Sequence, residues 1–377
     1  MALSLCFVAV LVLLGGQPLR RENLFGQFPL YCFLEEKARK TIPGEDPETS
    51  DMIMENNGVY LGQQVEEENQ EKKEELAEKE TQREKKTAEK QTKKKSKKKK
   101  KDKPAYVTPA EPSPKVDLSM EALRNYEYLL GQFFILDPNT ATNPQQLNAA
   151  EFLSKDLTME KKKEGPQILI YHSHSQETFA DSREGKVEDT IVGVGDYLTR
   201  ILRETYGYQV LHVRKTFDII DGALDRSQAY DYARAYVEKV LEKNPGIEVI
   251  IDLHRDGVPE DRHLVTEING KQTAQIMFYN GLSYTAANGP VTDLPNPYIQ
   301  DNLAFSFQLE YQAAQYYPDF YRGIYLAGLR YNLHLRPRAL LLEAGAQTNT
   351  VGEVKNAMEP FADILNRVLS EKKTGQS

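Results

Sequence analysis

The chain has 377 residues, enough for one large or two ordinary domains. Its 48 basic and 56 acidic side chains give a formal net charge of −8, but residues 1–103 carry 21 basic and 19 acidic groups while residues 104–377 carry 27 and 37. Both cysteines, Cys6 and Cys32, fall in the first part, which excludes a disulfide framework or a thiolate metal cluster from the second.

Residues 2–16 form an uninterrupted apolar run followed by Pro18, Arg20 and Arg21. The run is shorter than the roughly 20 residues that span a bilayer comfortably, and no basic residue precedes it. No amphipathic segment nearby would cover it in a soluble core, so residues 1–21 read as a membrane anchor or export signal. The absence of a clear small-residue cleavage site favours an uncleaved anchor. Residues 22–115 read as a charged, lysine-rich linker, with nine lysines and one acid between Lys93 and Lys103. Such a stretch cannot bury enough apolar area to offset chain entropy and is expected to be disordered. Anionic polymer or lipid headgroups are the alternative contact for its lysines. Nucleic acid is not, because aromatic stacking platforms are missing. Residues 116–164 form a lead-in to the part that folds.

From residue 165 apolar strands alternate with amphipathic helices. Gln167–His172 is a strand entered through Gly165-Pro166, and the spacing of Ile191, Val194, Leu198, Ile201 and Leu202 predicts a helix over Asp189–Tyr206. Tyr208–Arg214 alternates as a strand, Leu224–Leu241 reads as a helix and Glu248–His254 as a buried strand. Two runs, Arg262–Ile268 and Gln272–Tyr279, flank Asn269-Gly270, a strong hairpin signal. A helix over Pro297–Tyr317 and a buried strand over Ala339–Gly345 follow. The last helix is predicted over Asn349–Leu369, with a break or kink at Pro360 and a cap at Asn349 and Thr350. The pattern predicts an α/β domain over 165–372, with a mostly parallel central sheet flanked by helices and one hairpin.

No phosphate-binding loop, G-x-G-x-x-G, H-E-x-x-H or G-x-S-x-G motif is present. The residues able to do chemistry lie instead at strand ends, where open α/β sheets bind ligands. His172, His174 and Glu177 follow the first strand, His254 ends the third, and Glu343 lies near the end of the last. Two histidines and a carboxylate suit a catalytic zinc that keeps one open position, and a further carboxylate suits the proton transfer. His172, Glu177 and His254 are the expected ligands and Glu343 the expected proton acceptor. Residues 172 and 174 share a face if the strand continues, so His174 stands as the alternative ligand or as a group orienting substrate. Arg255 and Asp256 are read as holding the loop or the substrate carboxylates, and His212, His263 and His334 as structural.

Three segments, YHSHSQETF (Tyr171–Phe179), IDLHRDG (Ile251–Gly257) and LLLEAGAQTNT (Leu341–Thr350), resemble the signature segments of the stage II sporulation protein P family, zinc-dependent N-acetylmuramoyl-L-alanine amidases of endospore-forming bacteria. The resemblance covers about 165–370. It implies an amidase-like three-layer domain, zinc held by His172, Glu177 and His254, and Glu343 as the catalytic carboxylate. It further implies cleavage of peptidoglycan, including stem-peptide cross-links, on the outer side of the membrane at the sporulation septum. The implied partners are a lytic transglycosylase of the stage II sporulation protein D type and a membrane protein of the M type. A zinc carboxypeptidase or deacetylase on the same scaffold, and a non-catalytic septal adapter that binds the wall, are the competing readings.

Overall fold

Strands that are apolar along their whole length need cover on both faces. The computed structural model describes residues 108–109, 111–162, 164–220 and 222–370. The expected anchor at 1–21 and the lysine run at 93–103 lie outside those residues. Among the described residues no helix is long and apolar enough to cross a membrane.

Seven strands build one sheet: β1 (Phe134–Leu136), β2 (Ile168–Tyr171), β3 (Val210–His212), β4 (Val249–Asp256), β5 (Ile276–Gly281), β6 (Tyr321–Ala327) and β7 (Ala339–Ala346). Their spatial order is β1-β6-β5-β7-β4-β2-β3. Every neighbouring pair is parallel except β7 and β5, so the mostly parallel sheet is present as two co-directional blocks joined at one antiparallel seam. The stretch before residue 165 is part of this sheet, because β1 pairs with Ile324–Leu326. The larger helices are α1 (Tyr126–Phe133), α2 (Ile191–Glu204), α3 (Ala229–Lys243), α4 (Ile299–Tyr316) and α5 (Val351–Ser370).

Register assigns the two faces of the sheet. Ile251 lies beside Ile170 and Leu340, and Leu342 beside Phe278, which lies beside Ile324. These side chains join Leu198 and Leu202 of α2, Phe305 and Phe307 of α4, and Phe361 of α5 in one buried apolar cluster. Each such side chain contributes roughly 1.5–3 kcal/mol relative to leaving it exposed. One residue along, the opposite face carries Tyr171, Asp252, Leu341, Tyr279 and Tyr325 in register. That face holds the polar chemistry.

Local signals explain most element boundaries. Val265–Ile268 pairs antiparallel with Lys271–Ala274 across Asn269 and Gly270, whose φ values of 53° and 73° are those of a type I′ turn. The second arm, expected as one strand to Tyr279, divides at Gln275. That residue donates its N–H to Leu264 O and accepts from Gly345 N, each at 3.0 Å, and the chain then enters the main sheet as β5. The helix expected from Leu224 starts only at Ala229, because Asp225 Oδ1 accepts from Ser227 N (2.9 Å) and Ser227 Oγ (2.6 Å) and closes a turn first. At α5, Thr350 Oγ1 accepts from Glu353 N (3.2 Å) while Glu353 Oε2 accepts from Thr350 N (2.9 Å), a reciprocal capping box. Pro360 does not break this helix, which runs continuously through it with Met358 and Phe361 fully buried on either side.

Candidate active site

The carboxyl ends of β2, β4 and β7 lie side by side because these strands are parallel neighbours. The β7–β4 register sets Glu343 directly beside His254. The chain after β2 brings His174 and Glu177 to the same place. Asp218 pins this loop by accepting from Ser175 Oγ (2.7 Å) and Gln176 N (3.2 Å). Asp252 of β4 pins it again, accepting from Ser173 N (2.9 Å) and Ser173 Oγ (2.5 Å). The His174 ring stands edge-on to His254, with centroids 5.2 Å apart, and Glu177 Oε2 lies 3.8 Å from His254 Nδ1. The same oxygen accepts from Arg255 N at 2.9 Å.

His172, the expected ligand, faces elsewhere. Its Nδ1 is 2.7 Å from Leu253 O and its Nε2 is 2.8 Å from His212 Nε2. A carbonyl only accepts, so His172 donates from Nδ1 and receives His212's proton at Nε2. His212 Nδ1 in turn lies 3.0 Å from Asp196 Oδ1, and Arg214 Nη2 lies 3.2 Å from Asp196 Oδ2. With His172 neutral, both contacts carry a proton only while His212 is an imidazolium, the form that burial disfavours. Burial opposes that charge and holds its pKa below the ordinary value, while Asp196 acts in the opposite direction. His212 therefore links His172 to the partly exposed Asp196, in keeping with the structural role read from sequence.

That link requires Gly195 in the middle of α2. A Cβ there would sit 2.6 Å from His212 Nε2 and 2.8 Å from His172 Nε2. Gly195→Ala is expected to destabilise the fold by roughly 1–3 kcal/mol through forced side-chain displacement. Denaturant unfolding measures this, and an unchanged midpoint would contradict the close approach.

Electrostatics separates the remaining groups. Burial, then the charge of His254, pushes the His174 pKa down to about 3, which keeps this imidazole neutral. His254 is the reverse case: burial opposes its proton, but Asp252 and Glu177 raise its pKa well above the ordinary value. Burial would raise Glu177, yet the adjacent His254 prevails, with His174 and Arg255 acting the same way, and its pKa falls to about 2. Glu343 is pushed up to about 8, chiefly by burial and then by Asp256. The residue as a whole is half-buried, but its Oε2 has neither solvent contact nor a hydrogen-bond partner.

Both ring nitrogens of His174 are likewise buried without a partner. His254 Nε2 lies 2.8 Å from Asp252 Oδ1, but off the hydrogen-bonding direction, and it too lacks a proper partner. Among the described residues no three His, Cys, Asp or Glu side chains stand ready in coordinating geometry. What the cluster does supply is the donor chemistry of a zinc site, with two imidazoles, one carboxylate and orphaned nitrogens together. The structure thus brings together His174, Glu177, His254 and Glu343, and does not bring His172 into that group.

The other sequence candidates are occupied. Arg255 spends its guanidinium on Thr178 O (3.0 Å) and Asp256 O (3.1 Å), which holds the loop. Asp256 pairs with Arg322 Nη1 at 2.7 Å. His263 Nε2 contacts Glu353 Oε2 at the helix cap (2.8 Å), and His334 lies half-buried in the turn at Leu333–Leu335. Asp252 escaped the sequence reading although it carried a signal: a charged residue inside an apolar strand, two positions before His254 and hence on its face.

The profile of the stage II sporulation protein P family matches residues 34–366. A curated relative, stage II sporulation protein P of Bacillus subtilis (strain 168), is 23% identical over 246 residues, which is 62% of this chain. The match spans 58% of that relative's own length. Among solved structures, an N-acetylmuramoyl-L-alanine amidase of Nostoc punctiforme is 16% identical and matches 55% of this chain and 96% of its own, with a TM-score of 0.30. The corresponding enzyme of Mycobacterium smegmatis is 14% identical and matches 57% of this chain and 96% of its own, with a TM-score of 0.34.

Proposed function

The chain belongs to the stage II sporulation protein P family, and on that premise we propose that it is a zinc-dependent peptidoglycan hydrolase cleaving the amide between the lactyl group of N-acetylmuramic acid and L-alanine. The observation that carries this reading is the convergence of His174, Glu177, His254 and Glu343, with unpartnered buried atoms on three of the four. His174, Glu177 and His254 are the residues that would hold zinc, with His174 in the place expected of His172. When bound, zinc supplies Lewis acidity towards the scissile carbonyl and the attacking water. Glu343 takes the proton from that water and returns it to the leaving amine of L-alanine. A carboxyl poised near neutrality suits both halves of that transfer. Asp252 holds the loop after β2 through Ser173, and the Arg255 N–H fixes one oxygen of Glu177.

Family membership supports the wider setting of the same proposal. The site would act on septal wall during sporulation, from a membrane-anchored chain whose catalytic part lies outside the cytoplasm. Stem-peptide cross-links, and partners of the stage II sporulation protein D and M types, belong to this reading.

The ligand assignment has a direct test in the zinc content of purified protein. His174→Ala is expected to lose the metal, with affinity falling at least about tenfold, while His172→Ala retains it. The opposite pattern would restore His172 as the ligand. Product analysis on sacculi separates the amidase from a carboxypeptidase or deacetylase, because only the amidase releases peptides that begin with a free L-alanine amine.

A further inference from the structure

The sheet face opposite the apolar core carries tyrosines that the proposed chemistry does not use. Tyr279 of β5 and Tyr325 of β6 are register partners whose rings stack 4.8 Å apart at 20°. Tyr331 packs edge-on against Tyr279 at 5.0 Å and against Tyr230 at 5.5 Å. Tyr230 lies nearly parallel to the His254 ring, 6.4 Å away. The four rings thus form one continuous tract leading from the candidate site towards the β6 side of the sheet. All four residues are half-buried, so each keeps part of its surface exposed.

Tyr331 holds its place against backbone preference. Its φ is 48° and that of Asn332 is 59°, two consecutive non-glycine residues in the left-handed region. A bulky aromatic residue is a rare occupant of that region. Asn332 secures the turn by donating from Nδ2 to Tyr230 O at 2.8 Å, which ties Tyr331 and Tyr230 together. Local strain maintained by surrounding contacts is typical of positions where one side chain must be presented in one orientation.

The charge along the tract selects the ligand. Asp137 accepts from the Tyr325 hydroxyl at 2.7 Å, and Arg322 is committed to Asp256. The charged groups acting on the phenols are carboxylates: Asp252 and Glu343 at Tyr230, Asp137 at Tyr331, and Asp137 and Asp256 at Tyr325. None of these groups is a cation that would hold an anionic stem peptide, whereas an uncharged N-acetylated sugar needs none. Aromatic rings with polar hydroxyl tips match the apolar C–H faces and polar rims of pyranose rings.

We propose that Tyr230, Tyr331, Tyr279 and Tyr325 form a subsite for the uncharged N-acetylated sugar rings of the glycan strand next to the scissile amide. The proposal rests on the reading of the site as an N-acetylmuramoyl amidase, and it places the glycan on this face and leaves the peptide to the rest of the site.

The test measures binding without turnover. The full chain carrying Glu343→Gln is titrated with a peptide-free oligomer, the tetramer of β-1,4-linked N-acetylglucosamine, by calorimetry. Adding Tyr331→Ala or Tyr279→Ala is expected to weaken binding at least about tenfold, while Tyr331→Phe keeps it within about twofold. In the otherwise unaltered enzyme, Tyr331→Ala is expected to raise KM on sacculi with little change in kcat. Unchanged tetramer affinity in Tyr331→Ala, or no tetramer binding by the parent protein, would overturn the subsite. If Tyr331→Ala does not fold, Tyr325→Ala at the far end of the tract carries the same expectation. Glu343→Gln activity tests the amidase reading separately, so either conclusion can fail while the other stands.

Discussion

On the proposed mechanism, Glu343→Gln is expected to lower release of peptides with a free L-alanine amine from sacculi by roughly 10²–10⁴-fold, the range of a lost general base or acid. The substitution preserves size and shape but cannot accept the water's proton. Stability should not suffer. Burial drives the Glu343 pKa to about 8, and Asp256 and Glu177 push it in the same direction, against His254 and Arg322. A neutral amide removes those repulsions and any cost of ionising the group in place. Zinc content should also persist, because the proposed ligands His174, Glu177 and His254 are untouched. The expected result is therefore an inactive protein that is folded and metal-loaded, shown by product chromatography, unfolding midpoint and metal analysis together. Undiminished activity would remove Glu343 from the reaction. Joint loss of activity and metal would make it a ligand instead.

Much of this site was legible in sequence because it obeys one topological rule. Apolar runs ending in His or Glu predicted parallel strands with chemistry at their carboxyl ends, and β2, β4 and β7 deliver His174, Glu177, His254 and Glu343 accordingly. The different surroundings of His172 and His174 were not legible. They depend on His212 and Leu253 O, which occupy both nitrogens of His172 and reach it from other strands. A trace of that contact exists in Gly195, a residue costly inside a helix unless something packs closely against it. The strands β1 and β6 left weaker signals. β1 is three residues long, and β6 reads YRGIYLA, with Arg322 and Gly323 interrupting the apolar pattern. Arg322 is there to pair with Asp256 on the far side of the seam, a tertiary reason that local pattern does not contain. The aromatic tract was hidden for the same cause: Tyr230, Tyr279, Tyr325 and Tyr331 come from four segments and meet only through register and the turn at Tyr331.

Glu310→Met is expected to stabilise the protein by roughly 1–3 kcal/mol near pH 4.5, the cost of burying an uncharged polar group without partners, and by more as pH rises. Glu310 lies in α4 at 0% exposure, and neither carboxyl oxygen has a hydrogen-bond partner. Its helix neighbours Phe307, Leu309, Ala313 and Ala314 belong to the apolar cluster. Burial alone raises its pKa well above the ordinary 4.5. A carboxyl raised in the folded state keeps its proton after the unfolded chain has released it, so the folded state binds more protons above pH 4.5. Stability must then fall as pH rises from that value towards the folded pKa, by up to about 1.4 kcal/mol per pH unit. Below pH 4.5 both states are protonated and the group contributes no slope. The sign is opposite to that of an ion-paired carboxylate such as Asp189, whose pKa its contact with Arg183 lowers. Denaturant unfolding of the wild-type chain and of Glu310→Met between pH 4.5 and 8 isolates the effect, because other titrating groups are common to both. The difference in stability between the two should widen steadily with pH. A difference independent of pH would mean that Glu310 ionises as readily in the fold as in the unfolded chain, and that some reorganisation admits water to it.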